Sequence, residues 1–493
     1  MPGFAFLWSV KTTNDARQSY SLSSAVMVDS YIGYRGFRSY AFVGGSSNNA
    51  IALDTDVGRV EWTQNFGATA QGGTPACPGT MTAGVTRPTT LPQPAAASGA
   101  AGGRGGGRGA QRAASGVGEP EAGAITIGQG RGGGFGGGAP GGSGGRGGGG
   151  GAAGGSGGRG GGGGFGGGGV RAPDAVYALS TDGMLRTLYI SNGTNAKPPV
   201  RFLPANANAS GLLLVDNVMY AATSGNCNGV PNGVWAMDTS AANPAPMHWA
   251  TNGGGVAGTY GEALGTDGTV YAATTDGDYS PAAFSDSLVQ LDAKTLKLKD
   301  WFTPGKSEFT SSPAVFSFGG KDIIAAANKD GKLYLLDSAA LGGADHKTPL
   351  DSISYAPSGP DAGALASWED TSGARWILVG APTAIKAFKV IDKNGKPGLQ
   401  AGWVSGNIAA PLPPIVINGF VFTAATGPNP KLYAFDGATG KELFNSGGKI
   451  TSPVLHSGGL AGSAGQIYIS TADSTIYAFG IPLVTPDLAK KVQ

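Results

Sequence analysis

A module about fifty residues long recurs from one end of the chain to the other, and a repeat of that length leaves few folds open. Each copy has an apolar strand ending in aromatic-Ala-Ala or a near relative, then a Gly/Asp/Asn turn. A strand of aromatic-Ala-apolar-Asp type follows, then a second turn and a strand ending in an aromatic. The Asp-terminated strand stands at Ile51-Ala52-Leu53-Asp54, Trp235-Ala236-Met237-Asp238, Val289-Gln290-Leu291-Asp292, Tyr334-Leu335-Leu336-Asp337 and Tyr433-Ala434-Phe435-Asp436, and in altered form at Tyr477-Ala478-Phe479-Gly480. Weaker copies are Leu188-Tyr189-Ile190-Ser191 and Ile385-Lys386-Ala387-Phe388. The closing aromatic falls at Trp62, Phe202, Trp249, Trp301, Tyr355, Trp403 and Phe444. Alternating apolar and polar residues within each segment fit strands packed on one face. The recurrent Asp is structural, accepting hydrogen bonds from the amides of the turn after it. The recurrent Trp and Phe are packing residues between sheets.

Eight copies of four short strands describe an all-β, eight-bladed β-propeller. The last copy, from Thr451 to Pro482, has no outer aromatic strand of its own, and Phe6-Leu7-Trp8-Ser9-Val10-Lys11 supplies one. The N-terminal strand then closes the ring and removes an open sheet edge. The first blade starts near Ser21, and residues 1–493 read as one propeller domain.

One stretch departs from the repeat. Between Ser98 and Gly169, 40 of 72 residues are glycine, and Arg104, Arg108, Arg112, Arg131, Arg146 and Arg159 are scattered through it. The distance from Trp62 to Phe202 is one repeat plus this block, so 98–169 is an insertion within blade two. It lacks the apolar surface a core needs and is expected to be disordered and solvated. Arg-Gly-Gly segments can bind single-stranded RNA, but the whole chain, with 34 Lys+Arg against 32 Asp+Glu, has no global basic field. Nucleic acid is not an expected partner. No apolar run reaches the roughly 18 residues of a membrane helix, so no membrane span is expected. The first residues, from Met1 to Lys11, lack the basic start and long apolar stretch of a secretory signal, so the chain is either cytosolic or begins after one.

The repeat resembles that of the pyrroloquinoline quinone (PQQ) enzymes. Leu432-Tyr433-Ala434-Phe435-Asp436-Gly437-Ala438-Thr439-Gly440-Lys441-Glu442-Leu443-Phe444 carries the resemblance, and Gly268-Thr269-Val270-Tyr271-Ala272-Ala273 matches the strand before it. The resemblance implies the propeller fold. It is compatible with quinoprotein alcohol and sugar dehydrogenases and with non-catalytic scaffolds such as the lipoprotein of the outer-membrane barrel assembly machine. It implies a possible PQQ and Ca2+ pair. Methanol-dehydrogenase-like members carry adjacent cysteines over the quinone, whereas Cys77 and Cys227 are 150 residues apart.

Site candidates come from the loops that build a propeller's ligand face, those joining blade to blade and those between second and third strands. Cys77 falls in the first kind and Cys227 in the second, on neighbouring blades. Two free thiols or one disulfide are both open; the shared face favours the disulfide, and with it a periplasmic or secreted location. Asp276 and Asp278, with Asp286 farther on, offer oxygen ligands for calcium or a solvated turn. Glu262 stands at an inner-strand entry where other blades carry Ser-Pro. It is a candidate catalytic base or calcium ligand, or the partner of Arg87 in a structural ion pair. Arg87 and Trp368 are the candidate cofactor contacts, Trp368 as an indole floor for a flat quinone or simply as packing. His248, His346 and His456 suggest no metal set. The reading favours a binding or assembly platform, acting outside the cytoplasm on a protein or small ligand at the loop face. The alternative is a PQQ- and calcium-dependent dehydrogenase acting on an alcohol or sugar.

Overall fold

A computed structural model describes residues 1–17, 20–33, 36–67, 73–91, 174–280, 282–357, 359–463 and 465–482. The predicted insertion at 98–169 lies outside these residues. Eight four-stranded antiparallel blades form the ring. Their inner strands are, in order, Val26–Gly33, Val85–Thr86, Asn208–Val215, Ala263–Leu264, Ala314–Phe318, Gly363–Glu369, Ile415–Ile417 and Leu460–Ser463. The outermost strand of blade 8 is the N-terminal Ala5–Lys11, which pairs antiparallel with Thr475–Gly480. The ring therefore closes as the sequence predicts. Short extra strands add to two blades: Pro88–Thr89 runs parallel to the inner strand of blade 3, and Ser311–Ser312 parallel to that of blade 6.

The Asp-terminated segment is the third strand from the axis in every blade where it occurs. Its Asp caps the following turn. Asp292 accepts from the Lys294 and Thr295 amides and the Thr295 hydroxyl, and Asp436 does the same for Ala438 and Thr439. Three outer-strand tryptophans tie their blade to the next. Trp8, Trp62 and Trp403 donate from Nε1 to the backbone carbonyls of Thr55, Ile190 and Gly437. Phe202 and Tyr355 lie one residue beyond their outer strands, Val200–Arg201 and Asp351–Ser354, and turn into the core.

The core is divided rather than central. Eight apolar clusters are found, one in each interface between neighbouring blades, including that between blades 8 and 1. Each fully buried Phe or Leu in them contributes about 1.5–3 kcal/mol. Alternation of strand direction gives the ring two faces. Blade-to-blade connections and second-to-third-strand loops share one, the loop face; first-to-second and third-to-fourth turns share the other, the turn face. The connection from Leu91 to Asp174 joins the first and second strands of blade 2, so it leaves and re-enters on the turn face. Among the described residues no helix is long and apolar enough to cross a membrane.

Candidate functional site

At the loop-face end of the axis, the segments entering the inner strands converge and close it. The Thr259 amide of blade 4 donates to Gly363 O at the entry of blade 6 (2.9 Å). The next amide, that of Tyr260, donates to Ser312 Oγ (2.9 Å). The Tyr260 ring reaches across to blades 8 and 1, on the far side of the ring. A methyl built on Gly459 would sit 3.1 Å from the Tyr260 hydroxyl and 2.1 Å from Ser24 Oγ, so these groups crowd one spot that only glycine leaves open. Burial raises the Tyr260 hydroxyl to about 12, offset in part by Ser24. Tyr20 comes in from the blade 1 side, its hydroxyl donating to Thr82 O. Burial and the neighbouring Tyr260 raise its pKa as well.

Glu262 lies two residues beyond Tyr260 and is 1% exposed. Its carboxyl presses against the inner strand of blade 3, where the register slips between Ser210 and Leu213. Gly211 in that irregularity has φ +68, and a Cβ there would meet Glu262 Oε2 at 2.7 Å and Tyr260 O at 2.5 Å. Among the described residues no other group donates a hydrogen bond to either carboxyl oxygen; its own backbone amide offsets the burial only in part. Burial pushes its pKa well above the carboxylate range, so the group is held as a neutral acid. Arg87, the alternative ion-pair partner, is not among the groups that act on this carboxyl. Arg87 sits half-buried in the inner strand of blade 2, between Val85–Thr86 and Pro88–Thr89.

The acidic loop forms a separate group nearer the rim. Burial, with Asp276 and Glu308 beside it, raises Asp286 to about 6; Lys306 and Lys329 pull the other way. Glu308 accepts from the Asp276 amide (3.1 Å) and pairs with Lys329. Asp278 is exposed. Among the described residues no three carboxylate, imidazole or thiol groups are arranged to hold a metal ion. Trp368 lies near the turn-face end of its inner strand and packs on Gly437, in a turn-face loop of blade 7. It is at the opposite end of the axis from Glu262. The structure thus brings Asp276 and Asp286 together with Glu308, and it gathers neither Glu262, Asp278, Arg87 nor Trp368 with them. Sequence reasoning missed Tyr20, Tyr260 and Glu308. The first two are aromatics in a chain whose aromatics mostly pack, and only closure of the ring brings Tyr260 to Ser24.

A PQQ and calcium pair does not fit these residues. Burial raises Glu262, Asp276 and Asp286 sit with Glu308 apart from it, and Trp368 lies toward the turn face, so no set of these candidates converges on one spot.

Cys77 and Cys227 form a disulfide on the loop face. It pins the connection between blades 1 and 2 onto blade 3, where Asn208 Nδ2 also donates to Ala76 O (3.0 Å). Two histidines stack on tryptophans, His248 on Trp235 and His346 on Trp301. His456 lies 3.9 Å from Asp361. Blade 4 also carries a small hairpin, Tyr279–Ser280 with Ala283–Phe284, in its loop-face connection. Tyr279 is 42% exposed there, its hydroxyl accepting from Trp301 Nε1 (3.0 Å).

No protein-family model matches the chain, and no curated protein matches it. Solved propellers do. The quinohemoprotein alcohol dehydrogenase of Comamonas testosteroni is 12% identical, with a TM-score of 0.54 over 98% of this chain and 77% of that one. BamB of Moraxella catarrhalis is 10% identical, with a TM-score of 0.50 over 98% and 99%. Sqt1 of Saccharomyces cerevisiae is 10% identical, with a TM-score of 0.54 over 97% and 99%. At such identities the likeness is one of fold. The chain is an eight-bladed β-propeller.

Proposed function

We propose that the chain is a binding or assembly platform that receives a protein or small ligand on its loop face, and that it works in the periplasm or outside the cell. The observation that carries this reading is the closed axis. Tyr260 spans the ring where a quinone enzyme of this fold would need an open funnel, and the acid beneath it is buried and neutral. The loop face also carries two additions to the repeat, the Tyr279–Ser280 hairpin and the disulfide-pinned connection. The disulfide supports the oxidising location. Likeness to BamB is compatible with a scaffold, and likeness to the alcohol dehydrogenase does not by itself carry a cofactor.

The test is photo-crosslinking in the native host. A benzophenone side chain at Tyr279 on the loop face is expected to give one discrete adduct. The same group at Tyr189, which is exposed at the turn-face end of its strand, is expected to give none. Absence of any adduct from Tyr279 and from a second loop-face position, Asp278, contradicts the reading.

A further inference from the structure

On the turn face, blades 4 and 5 leave a cleft of about 450 Å³ between them, lined by Asp267, Tyr271, Gln290, Lys299, Asp300 and Asp322. We infer that this cleft is a binding site for an organic cation of the guanidinium type, an arginine side chain presented by a peptide.

The first observation is a break in the repeat. In four blades the third strand carries Ala at the position facing the next blade, and Ala52, Ala236, Ala434 and Ala478 are all buried in interblade clusters; blade 5 has the apolar Leu335 there. Blade 4 carries Gln290 there. Its register neighbours are Tyr271 on the second strand and Asp300 on the fourth, so the three side chains stand in a row facing blade 5. Gln290 is 7% exposed, and its amide has no hydrogen-bond partner among the described residues. The amide opens into the cleft, where an occupant that both accepts and donates would pair with it.

The second observation is charge. Three carboxylates and one ammonium line the cleft, a net charge of −2. The carboxylates are fixed in place by backbone donors. Asp322 Oδ2 accepts from the Thr266 amide (2.7 Å) and hydroxyl (2.9 Å), which leaves Oδ1 open. Asp267 accepts from Thr269, and Asp300 Oδ2 from the Leu341 amide (2.7 Å). Lys299 is turned to the Thr269 hydroxyl. Burial and the charges of Asp267 and Asp322 raise the Tyr271 hydroxyl, so it stays a neutral hydrogen-bonding group. Among the described residues these carboxylates do not gather closely enough to share a metal ion. Separated anions around a neutral amide and phenol match an extended planar cation with several N–H donors better than a point charge.

Two sources can present such a group: a partner's peptide or this chain. Leu91, the last described residue before 92–173, packs beside Gly268, one residue from Asp267. Seven arginines lie between residues 92 and 173.

The test is calorimetric titration of two full-length chains with acetyl-Gly-Arg-Gly amide and with its citrulline counterpart. One chain is wild type; in the other the seven arginines are replaced by glutamine. Binding tighter than about 1 mM by either chain, weakened about fivefold or more by Gln290→Ala and by Asp322→Asn and lost with citrulline, supports the site. Gln290→Ala restores the residue that other blades use, and Asn at 322 still accepts from Thr266, so both variants should fold. Affinity about tenfold higher in the glutamine chain makes the chain's own segment the occupant; equal affinity makes it a partner's peptide. No binding by either chain, or binding that both single variants leave unchanged, overturns the inference.

Discussion

Glu262 is buried as an acid rather than as a charge. Among the described residues no other side chain donates to its oxygens, and ionising it there would leave an anion with only its own amide as a partner. Because folding raises its pKa, its contribution to stability is whole below the ordinary Glu range and is lost as pH rises through the folded value. Glu262→Gln keeps the shape and removes the proton. The variant should match wild type at or below about pH 4 and exceed it increasingly above the ordinary Glu range, with a flatter alkaline limb in thermal unfolding. A steeper alkaline loss in the variant would mean that the charge is compensated. Gly211→Ala should cost about 2–4 kcal/mol in denaturant unfolding, since its Cβ meets both Glu262 and the Tyr260 carbonyl at a positive φ. At this scale the sequence was only partly legible. Glu262 announced itself by standing where other blades have Ser-Pro. Tyr260 did not, because its partner Ser24 is some 236 positions away and adjacent only once the ring has closed. Trp368, readable as an indole floor or as packing, packs on Gly437 toward the turn face, since an inner strand has two ends and composition does not say which one an indole occupies.

At the scale of elements, most of the fold could be read in advance. The Asp-terminated third strand is legible because its turn needs an acceptor at a fixed offset, and its alternation follows from packing between two neighbours. Exact strand ends were less legible: Phe202 and Tyr355 look like outer-strand residues and instead turn into the core just past them. The N-terminal strand makes the most testable element. Removing residues 1–11 exposes the edge of Thr475–Gly480 along its length and removes the Trp8 bond to Thr55. The truncated chain should lose its cooperative unfolding transition or associate through the bare edge, as read by light scattering. A monomer with unchanged melting behaviour would show that the closure contributes nothing.

For the whole molecule, stability is distributed around a ring of eight interfaces, and function is left to the two faces. The disulfide fastens the loop face across 150 residues of sequence. Its removal by Cys77→Ser with Cys227→Ser should destabilise the protein by about 2–4 kcal/mol while leaving the blades folded. The repeat spoke clearly for the architecture and weakly for chemistry, since the same blade-to-blade packing serves open and closed axes alike. What separates the two is the side chain that crosses the ring. The most direct measurement is calorimetric titration of the folded, full-length protein with PQQ in the presence of calcium, beside Glu262→Gln. A closed axis with a neutral acid predicts no saturable heat from either protein. Micromolar binding that the Glu262→Gln variant weakens would contradict it, and would require Tyr260 to move aside for the quinone.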